Sequence, residues 1–379
     1  MERYLEGYIK KDLKKKIILI SGPRQVGKTT ISKQLVPAYE YLNYDSGSHR
    51  KIIHTEEWTR DVEMVIFDEL HKKKNWKSWI KGIYDTEGIK PSLLITGSAR
   101  LDTYKKGGDS LAGRFFSFRL HPLTVKEICQ FLHEESKDAL DKLIQFGGFP
   151  EPYLNNNDRF ANRWRRTHTD TIIREDLLDL ERVRDIKSIE ILIDLLRARV
   201  GSTTSFASLA NDLQVSGHTV KHWLQILENL YIIFPVRPFS KNIARSLLKE
   251  AKYYFYDTGS VDGSLGEKIE NTVACALLRE LHFIEDTRGS RTSLHFLRDK
   301  EKREVDFVAV IDDEPVMMVE VKTRNNNFSP ALFRFGNFLK STKKLQVVYD
   351  LKRKKAKNGA IMLPAHEFLK DFQISRNPY

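Results

Sequence analysis

Cysteine is scarce in this sequence, and long apolar runs are missing altogether. The two cysteines, Cys129 and Cys275, fall in helix-like segments and supply neither a disulfide framework nor a zinc site. We expect both to pack in the core. No segment is apolar enough to span or insert into a membrane, and the start, MERYLEGYIKKDLKKK, lacks the apolar core of a signal peptide. The sequence therefore predicts a cytoplasmic protein.

Acidic residues are too few to balance the basic ones. Among 379 residues, 63 are Lys or Arg and 51 are Asp or Glu, so the formal net charge is +12. This excess favours a polyanionic partner, with nucleic acid preferred to membrane, although a solvated surface would carry the same charge. With 41% hydrophobic and 30% charged residues, the composition is typical of a soluble globular protein of two or three domains.

Short apolar runs alternate with helical stretches from residue 17 to residue 120. The candidate strands read IILIS, EYLNY, VEMVIFD, SLLITG and FFSFRL. This rhythm is typical of an α/β fold in which a parallel sheet lies between layers of helices.

The first candidate strand is followed by GPRQVGKTT, residues 22–30, which fits the P-loop pattern between a strand and a helix. Glycines let the backbone curl so that its N–H groups point at a phosphate, and the start of the helix adds the positive end of its dipole. Lys28 would reach the β- and γ-phosphates of ATP, and the Thr29 hydroxyl would ligate Mg²⁺. The predicted nucleotide-binding residues are Gly22, Pro23, Arg24, Gln25, Val26, Gly27, Lys28, Thr29 and Thr30.

Two acids end the third candidate strand, in the run MVIFDE. Asp68 suits Mg²⁺ held through water, and Glu69 suits polarisation of the attacking water. A helix N-cap after the strand is the alternative, and the neighbouring P-loop makes it the weaker one.

Polar residues at the end of the fourth candidate strand and before the fifth lie at positions suited to sensing the γ-phosphate. Thr96 and Ser98 lie where the strand in LLITGSAR ends, and Arg114 precedes FFSF. Arg114 is a candidate arginine finger, acting in trans from a neighbouring subunit, or a sensor acting in cis. An ordinary surface ion pair is the alternative for Arg114.

The middle of the chain predicts helices. Residues 147–158, GGFPEPYLNNND, are turn-rich and indicate a hinge or boundary. Residues 205–236 predict two helices and a strand, which resembles a winged helix-turn-helix. On the second helix Lys221 and His222 lie outside the apolar stripe. The interpretations are a recognition helix in the DNA major groove or a module that packs between domains.

The stretch REVDFVAVIDDEPVMMVEVK, residues 303–322, predicts a hairpin with charges inside both strands. Alternation places Asp306 opposite Val305 and Phe307, and it places Glu320 and Lys322 on one face. These groups can converge on one spot. The alternative is a Glu320–Lys322 ion pair on an exposed strand, with Asp306 in a turn, but residues 316–321 are too apolar for free exposure.

GPRQVGKTT, FDELHK, LLITGSAR and LAGR closely resemble motifs of AAA-type ATPase domains in a large group of prokaryotic ATP-binding proteins. The resemblance covers about the first third of the chain. It implies that one strand separates the P-loop strand from the Asp68 strand. In that group the second half is a domain of unknown function with a restriction-endonuclease-like fold.

EVDFV and VEVK look like the PD-(D/E)XK nuclease signature, although Val305 replaces its proline. The resemblance implies that Asp306 and Glu320 ligate Mg²⁺ and that Lys322 orients or helps to deprotonate the attacking water. It also implies a third acid on the preceding helix. Glu270, beside an apolar stripe, is the candidate, and Glu267 is a weaker one.

The predicted function is an ATPase whose nucleotide cycle controls a nuclease-like domain acting on DNA. The alternative is a nucleotide-switched protein that binds DNA or a partner without cleaving. A trans role of Arg114 would require a homo-oligomer. The expected domains are a P-loop ATPase core, a helical lid and linker, a winged-helix-like module and a PD-(D/E)XK nuclease-like α/β domain, at residues 1–122, 123–200, 201–250 and 251–379.

Overall fold

The computed structural model describes residues 2–97, 111, 113–177, 185–240, 250–324 and 327–375. The chain divides into two compact units, residues 1–121 with 229–231, and residues 122–228 with 232–379. Among the described residues, no helix combines the length and the apolar character that crossing a bilayer requires.

A parallel five-stranded sheet forms the centre of the first unit. Its strands are β1 (Ile17–Ser21), β2 (Tyr39–Asn43), β3 (Met64–Asp68), β4 (Ser92–Thr96) and β5 (Phe115–Arg119), in the order β2-β3-β4-β1-β5. All five predicted strands are confirmed. β4 separates β1 from β3, as the resemblance to AAA-type domains implied. The carboxyl ends of β1 and β3 therefore meet at one edge, where the P-loop and Asp68 follow them.

Helices cover both faces of this sheet. They are α1 (Glu6–Leu13), α2 (Lys28–Gln34), α3 (Gly47–Thr55) and α4 (Trp76–Glu87). Side chains of α3 and α4 form one core with alternate strand residues, including Leu19, Phe67 and Ile95. The strand residues between these point to the other face, and α1 and α2 pack against β1, β3 and β4.

The second unit begins with helices. They are α5 (Val125–Phe131), α6 (Ser136–Phe146), α7 (Pro150–Asn155), α8 (Asp158–Thr171) and α9 (Ile186–Arg197). The predicted cap of α5 is confirmed, because the Thr124 hydroxyl accepts a hydrogen bond from the Glu127 amide. Residues 147–158, predicted to be a turn-rich hinge or boundary, contain the helix α7. Pro150 starts α7 because its fixed φ suits the first helical position.

Two further helices, α10 (Phe206–Leu213) and α11 (Gly217–Asn229), lead into strand β7 (Ile233–Pro238). They confirm the predicted sequence of two helices and a strand. Val220, Trp223, Leu224 and Leu227 are buried, as the apolar stripe on α11 predicted.

A nine-stranded mixed sheet completes this unit. Its order is β13-β14-β12-β11-β10-β9-β7-β8-β6. β6 and β7, which precede residue 250 in the chain, therefore lie in the same sheet as the strands that follow it. The remaining strands are β6 (Thr203–Thr204), β8 (Ala251–Phe255), β9 (Thr292–Arg298), β10 (Glu304–Ile311), β11 (Glu314–Lys322), β12 (Lys343–Val348), β13 (Lys355–Lys357) and β14 (Ala360–Pro364).

Three helices follow β8 along the chain, namely α12 (Leu265–Arg288), α13 (Pro330–Phe338) and α14 (Ala365–Asp371). α12 buries Ile269, Val273 and Leu277 and contacts β8, β9, β10 and β11. Leu332 of α13 packs with Val308 and Met318, which β10 and β11 contribute. The β10–β11 hairpin therefore lies within the core, where its charged residues are held in fixed positions.

Candidate functional sites

The P-loop is a tight backbone turn that glycine makes possible. Gly22 has φ +144° and Gly27 has φ +99°, values that other residues rarely adopt. A side chain on Gly22 would place its Cβ 2.3 Å from the carbonyl oxygen of Leu120. The loop therefore joins β1 to the first turn of α2, with Lys28 as the first helical residue.

We expect Gly22→Ala to destabilise the first unit by about 2–3 kcal/mol or more, since it adds backbone strain and a clash with a main-chain oxygen. Gly82→Ala is the matched control. Gly82 lies inside α4 with nothing within 4 Å of its added Cβ, so the same change should stabilise by about 0.5–1 kcal/mol. Urea unfolding monitored by circular dichroism measures both. Equal effects would contradict the close contact.

Two buried cations hold the loop. The Lys28 ammonium donates to the carbonyls of Gly22 (3.0 Å) and Pro23 (2.6 Å). Arg3 donates to the carbonyls of Val26 (2.9 Å) and His121 (2.6 Å). The sequence patterns did not indicate Arg3, which lies 23 residues before Val26. A bound phosphate would draw Lys28 away from the loop carbonyls, whereas Arg3 braces the loop from outside the motif.

Asp68 accepts hydrogen bonds from three hydroxyl groups. Thr29 donates to Oδ2 at 3.0 Å, Tyr41 donates to the same oxygen at 2.6 Å, and Thr96 donates to Oδ1. The structure thus brings together Thr29 and Asp68, the predicted Mg²⁺ ligands of the ATPase. Burial and Asp68 raise the pKa of Tyr41 to about 12, so its hydroxyl keeps its proton. The sequence patterns missed Tyr41, which β2 places beside β3.

Glu69 follows Asp68 in a left-handed conformation, with φ +56°. Burial raises the pKa of Glu69 to about 7, Lys28 opposes the shift, and Asp68 adds to it. His71 places its Nε2 3.5 Å from the Glu69 carboxylate. A carboxylate whose pKa lies near neutrality, beside the P-loop lysine, suits a general base. The N-cap alternative fails for Glu69, because its side chain makes no cap hydrogen bond to the short helix that follows.

Arg114 precedes the amino end of β5, whereas the P-loop follows the carboxyl end of the neighbouring strand β1. Its carbonyl accepts a hydrogen bond from the amide of Ile17, while Arg119 pairs with Ser21 at the P-loop end of β1. The two ends of β1, Ile17 and Ser21, are four residue steps or about 13 Å apart. The guanidinium binds Asp85 through two nitrogens, at 2.7 and 3.1 Å. This placement argues against a sensor acting in cis and leaves the trans role a prediction. Ser98 lies outside the described residues.

The predicted hairpin of the second unit is confirmed, and its acids Asp306 and Glu320 are buried. β10 pairs antiparallel with β11, with Phe307 opposite Val319. Asp306 accepts the amide of Val321 at 2.8 Å, and Lys322 lies 2.8 Å from Glu320. Asp306 and Glu320 are only 8% and 4% exposed. The Glu320–Lys322 ion pair of the alternative is present, but Glu320 is buried and Asp306 lies in β10, so the exposed strand and the turn of that alternative are wrong.

Glu270 joins these groups from α12, through residues on β8. Tyr254 donates to Glu270 Oε1 at 2.6 Å. The Lys252 ammonium lies 3.3 Å from Glu270 Oε1, 3.7 Å from Asp306 Oδ1 and 2.6 Å from Glu304 Oε1. The resemblance to the nuclease signature indicated Glu270, and the sequence analysis missed Lys252, Tyr254 and Glu304. Glu267 instead hydrogen-bonds to Ser264 at the start of α12.

Burial and mutual repulsion act on the acids of this cluster. Burial raises the pKa of Glu270 and of Glu320 to about 7, and Asp306 adds to both shifts. Lys252 opposes the shift at Glu270 and Lys322 opposes it at Glu320. Glu320 Oε2 is buried and has no hydrogen-bond partner among the described residues. A cation beside Asp306 and Glu320 would satisfy this oxygen and favour the ionised acids.

This acid pair fits a hard cation, which prefers oxygen ligands. In the described part of the chain, however, no group of three or more His, Cys, Asp or Glu residues is arranged to hold a metal ion. Glu270 and Glu304 are held by Lys252 instead. The donors for a site are present, and three of the acids share a protein cation.

Comparison with protein families divides the chain into three segments. Residues 14–129 match the AAA domain family. The AAA domain includes the P-loop, Asp68, Glu69 and Arg114, so the resemblance inferred from the motifs is confirmed for this segment. It supports an ATPase of the AAA P-loop kind. Residues 137–266 and 265–368 match two domains of unknown function, DUF8612 and DUF4143. The second of these contains Glu270, Asp306, Glu320 and Lys322.

Two relatives of similar length are described only as uncharacterized proteins. A protein of Methanocaldococcus jannaschii is 24% identical over 361 residues, covering 86% of this chain and 80% of that protein. One of Haemophilus influenzae is 23% identical over 360 residues, with 84% and 86% covered. Among solved structures, a RuvB variant of Thermotoga maritima is 16% identical with a TM-score of 0.29, covering 60% of this chain and 85% of that one.

Proposed function

We propose that this chain is an ATPase whose nucleotide cycle controls a cation-dependent nuclease-like region acting on DNA. The contact between Thr29 and Asp68, 3.0 Å apart beside the P-loop, carries the ATPase part. It joins a P-loop hydroxyl to the acid that ends β3, which is the pair that holds Mg²⁺ in P-loop enzymes.

The residues of the AAA domain divide the work of hydrolysis. Lys28 binds the β- and γ-phosphates, and Thr29 and Asp68 would hold Mg²⁺, which would supply positive charge beside the phosphates. Tyr41 and Thr96 fix the Asp68 carboxylate by donating to it. Glu69 takes a proton from the attacking water. Arg114 acts in trans, so the active form is a homo-oligomer.

We expect Lys28→Met to weaken ATP binding by about tenfold or more, because one charge–phosphate interaction is lost. Lys51→Met is the matched control, since Lys51 is an exposed lysine of α3 in the same unit. Isothermal titration with ATP and Mg²⁺ measures binding, and phosphate release measures hydrolysis. If Lys28→Met binds and hydrolyses ATP as Lys51→Met does, the proposed ATPase site is wrong.

Burial of the hairpin acids supports the nuclease-like part of the proposal. Asp306 and Glu320 would hold Mg²⁺, and the bound ion would supply a lowered pKa to the water that attacks a phosphodiester. Lys322, 2.8 Å from Glu320, orients that water. Three strands and two helices, in the chain order α12-β9-β10-β11-α13, surround the acids and are consistent with the proposed restriction-endonuclease-like fold.

The alternative is a nucleotide-switched protein that binds DNA or a partner without cleaving. Lys252 favours it, because a protein cation already neutralises part of the acidic cluster. The helix pair α10–α11 with β7 supports a winged-helix-like module under either function, with the exposed Lys221 and His222 toward DNA.

A basic edge strand supports DNA as the partner. Lys355 and Lys357 on β13 are exposed. Pairing aligns Glu320 with Gln346, Gln346 with Met362, and Met362 with Lys355. Residues aligned in this way lie on the same face. Lys355 is therefore in the row of Glu320, three strands or about 14 Å away, within reach of a backbone bound at the acids.

We expect the double variant Lys355→Gln/Lys357→Gln to bind duplex DNA more weakly and with a shallower salt dependence. Each lost phosphate contact lowers the slope of log K against log salt by about 0.9, so the slope should fall by up to about 2. Fluorescence anisotropy at several salt concentrations measures it. The control is Lys14→Gln/Lys51→Gln, two exposed lysines of the other unit. If both double variants lower the slope equally, β13 is not a specific DNA-binding surface.

A further inference from the structure

Lys252 is a buried lysine that the proposed reaction does not use. It is 2% exposed and lies on β8, separated from β10 by other strands in the sheet order. Even so, its ammonium reaches acids from two other elements, Glu270 of α12 and the pair Glu304 and Asp306 of β10. The ring of Phe296, 5.5 Å from Nζ, covers it further. A lysine is buried in this way only where acids compensate its charge.

Charges in the cluster depend on this residue. The acids are Glu270, Glu304, Asp306 and Glu320, and the lysines are Lys252 and Lys322. Lys322 contacts Glu320 and is partly exposed, and Arg298 lies 3.8 Å from Glu304. Among the described residues, Lys252 is the cation that contacts Glu270 and Asp306 as well as Glu304. Without it, those carboxylates would face one another in a buried site, which is unfavourable.

The oxygens that Lys252 contacts belong to the acids that a divalent cation would use. Its ammonium faces Asp306 Oδ1, from a proposed Mg²⁺ ligand, and Glu270 Oε1, from the third acid of the cluster. An ammonium and a divalent cation cannot both have full use of the same carboxylate oxygens, because each attracts them and the two repel each other.

We propose that Lys252 is an internal counter-cation of the acidic cluster. It stabilises the carboxylates when no divalent cation is bound, and a divalent cation must compete with it for them. Lys252 is therefore a positioning residue. This inference rests on the proposed cation site of the nuclease-like region, but it does not require that the region cleave DNA. Lys252 therefore lowers the affinity of the cluster for divalent cations and raises the stability of the cluster.

Removing the ammonium tests both effects on the full chain. Without divalent cations, Lys252→Met should lower the melting temperature of the second unit by roughly 6 °C or more. Mg²⁺ should restore more of this stability than it adds to the parent protein. Mn²⁺, followed by electron paramagnetic resonance, should bind about tenfold more tightly to Lys252→Met. A residue with only a packing role would lower stability without strengthening Mn²⁺ binding.

Matched variants separate charge from packing. Lys252→Arg keeps the charge and should bind Mn²⁺ as the parent does, and Lys343→Met removes an exposed lysine from β12 of the same sheet and should change neither property. If Lys252→Met does not fold without cations, Lys252→Met/Glu304→Gln removes both members of the 2.6 Å pair and should fold and still bind Mn²⁺ more tightly.

Unchanged or weaker Mn²⁺ binding in folded Lys252→Met or in Lys252→Met/Glu304→Gln, including no binding by either, would overturn the inference. Tighter Mn²⁺ binding with no cleavage of DNA by any variant would support the inference and count against the nuclease function alone.

Discussion

Glu69→Gln should lower the rate of ATP hydrolysis by about 10²–10⁴-fold, the usual contribution of a general base. The amide has the shape of the carboxyl group but cannot accept the proton of the attacking water. ATP binding should change little, since Lys28 and Thr29 remain. Single-turnover hydrolysis of labelled ATP and a separate binding titration measure the two properties. Asp61→Asn, a carboxyl-to-amide change at an exposed position of the same unit, is the control.

The pH profile gives a second test of Glu69. Burial raises its pKa to about 7, and a general base acts only in its ionised form. Hydrolysis should therefore be low below about pH 6 and should rise through pH 7 to a plateau. Glu69→Gln should lose this rise and retain only the background rate. A full rate in Glu69→Gln, with the same pH profile as the parent, would assign the base to another residue.

The P-loop could be predicted almost completely because it is encoded locally. GPRQVGKTT specifies its own turn through Gly22 and Gly27, and the carboxyl ends of parallel strands bring Asp68 to it whatever the rest of the chain does. Arg3 and Tyr41 had no local signature. Arg3 contacts the site because the segment before α1 lies beside the P-loop, and Tyr41 contacts it because β2 pairs with β3. A single arginine or tyrosine outside a motif does not indicate such contacts.

Residues without a local sequence signature were harder still to predict in the acidic cluster. Alternation in the hairpin predicted Asp306, Glu320 and Lys322, because strand geometry determines which side chains share a face. Glu270 needed the resemblance to a nuclease signature. Lys252 precedes Asp306 by 54 positions and reaches it only because the sheet brings β8 toward β10. No periodicity in AKYYF indicates that its lysine is buried, since a strand pattern alone would place a lysine at the surface.

Asp306→Asn should lower metal-dependent DNA cleavage by about 10²-fold or more, since it removes a charged ligand from a site where the metal supplies several kcal/mol of transition-state stabilisation. The amide oxygen of the substituted side chain can still accept the hydrogen bond from Val321, so the hairpin should keep its fold. Cleavage of labelled duplex and single-stranded DNA with Mg²⁺ or Mn²⁺ measures the loss. Asp313→Asn is the matched control. Asp313 lies in the turn of the same hairpin, exposed and with φ +68°, a conformation that asparagine also tolerates.

Stability measurements test Asp306 whether or not the protein cleaves DNA. Glu270 and Glu320 have pKa values raised from 4.5 to about 7, so the folded state holds protons that the unfolded state releases. Their ionisation should make the cation-free protein less stable as the pH rises from about 4.5 to 7, with little further change above that. Asp306 contributes to both shifts, so Asp306→Asn should flatten this decline and reduce stabilisation by Mg²⁺ at about pH 8.

If Asp306→Asn keeps the parent's pH dependence and its response to Mg²⁺, the acids do not act as one cation site. A flattened decline in a protein that cleaves no DNA would instead favour the nucleotide-switched binding protein, with Lys252 as the resident cation of a recognition surface.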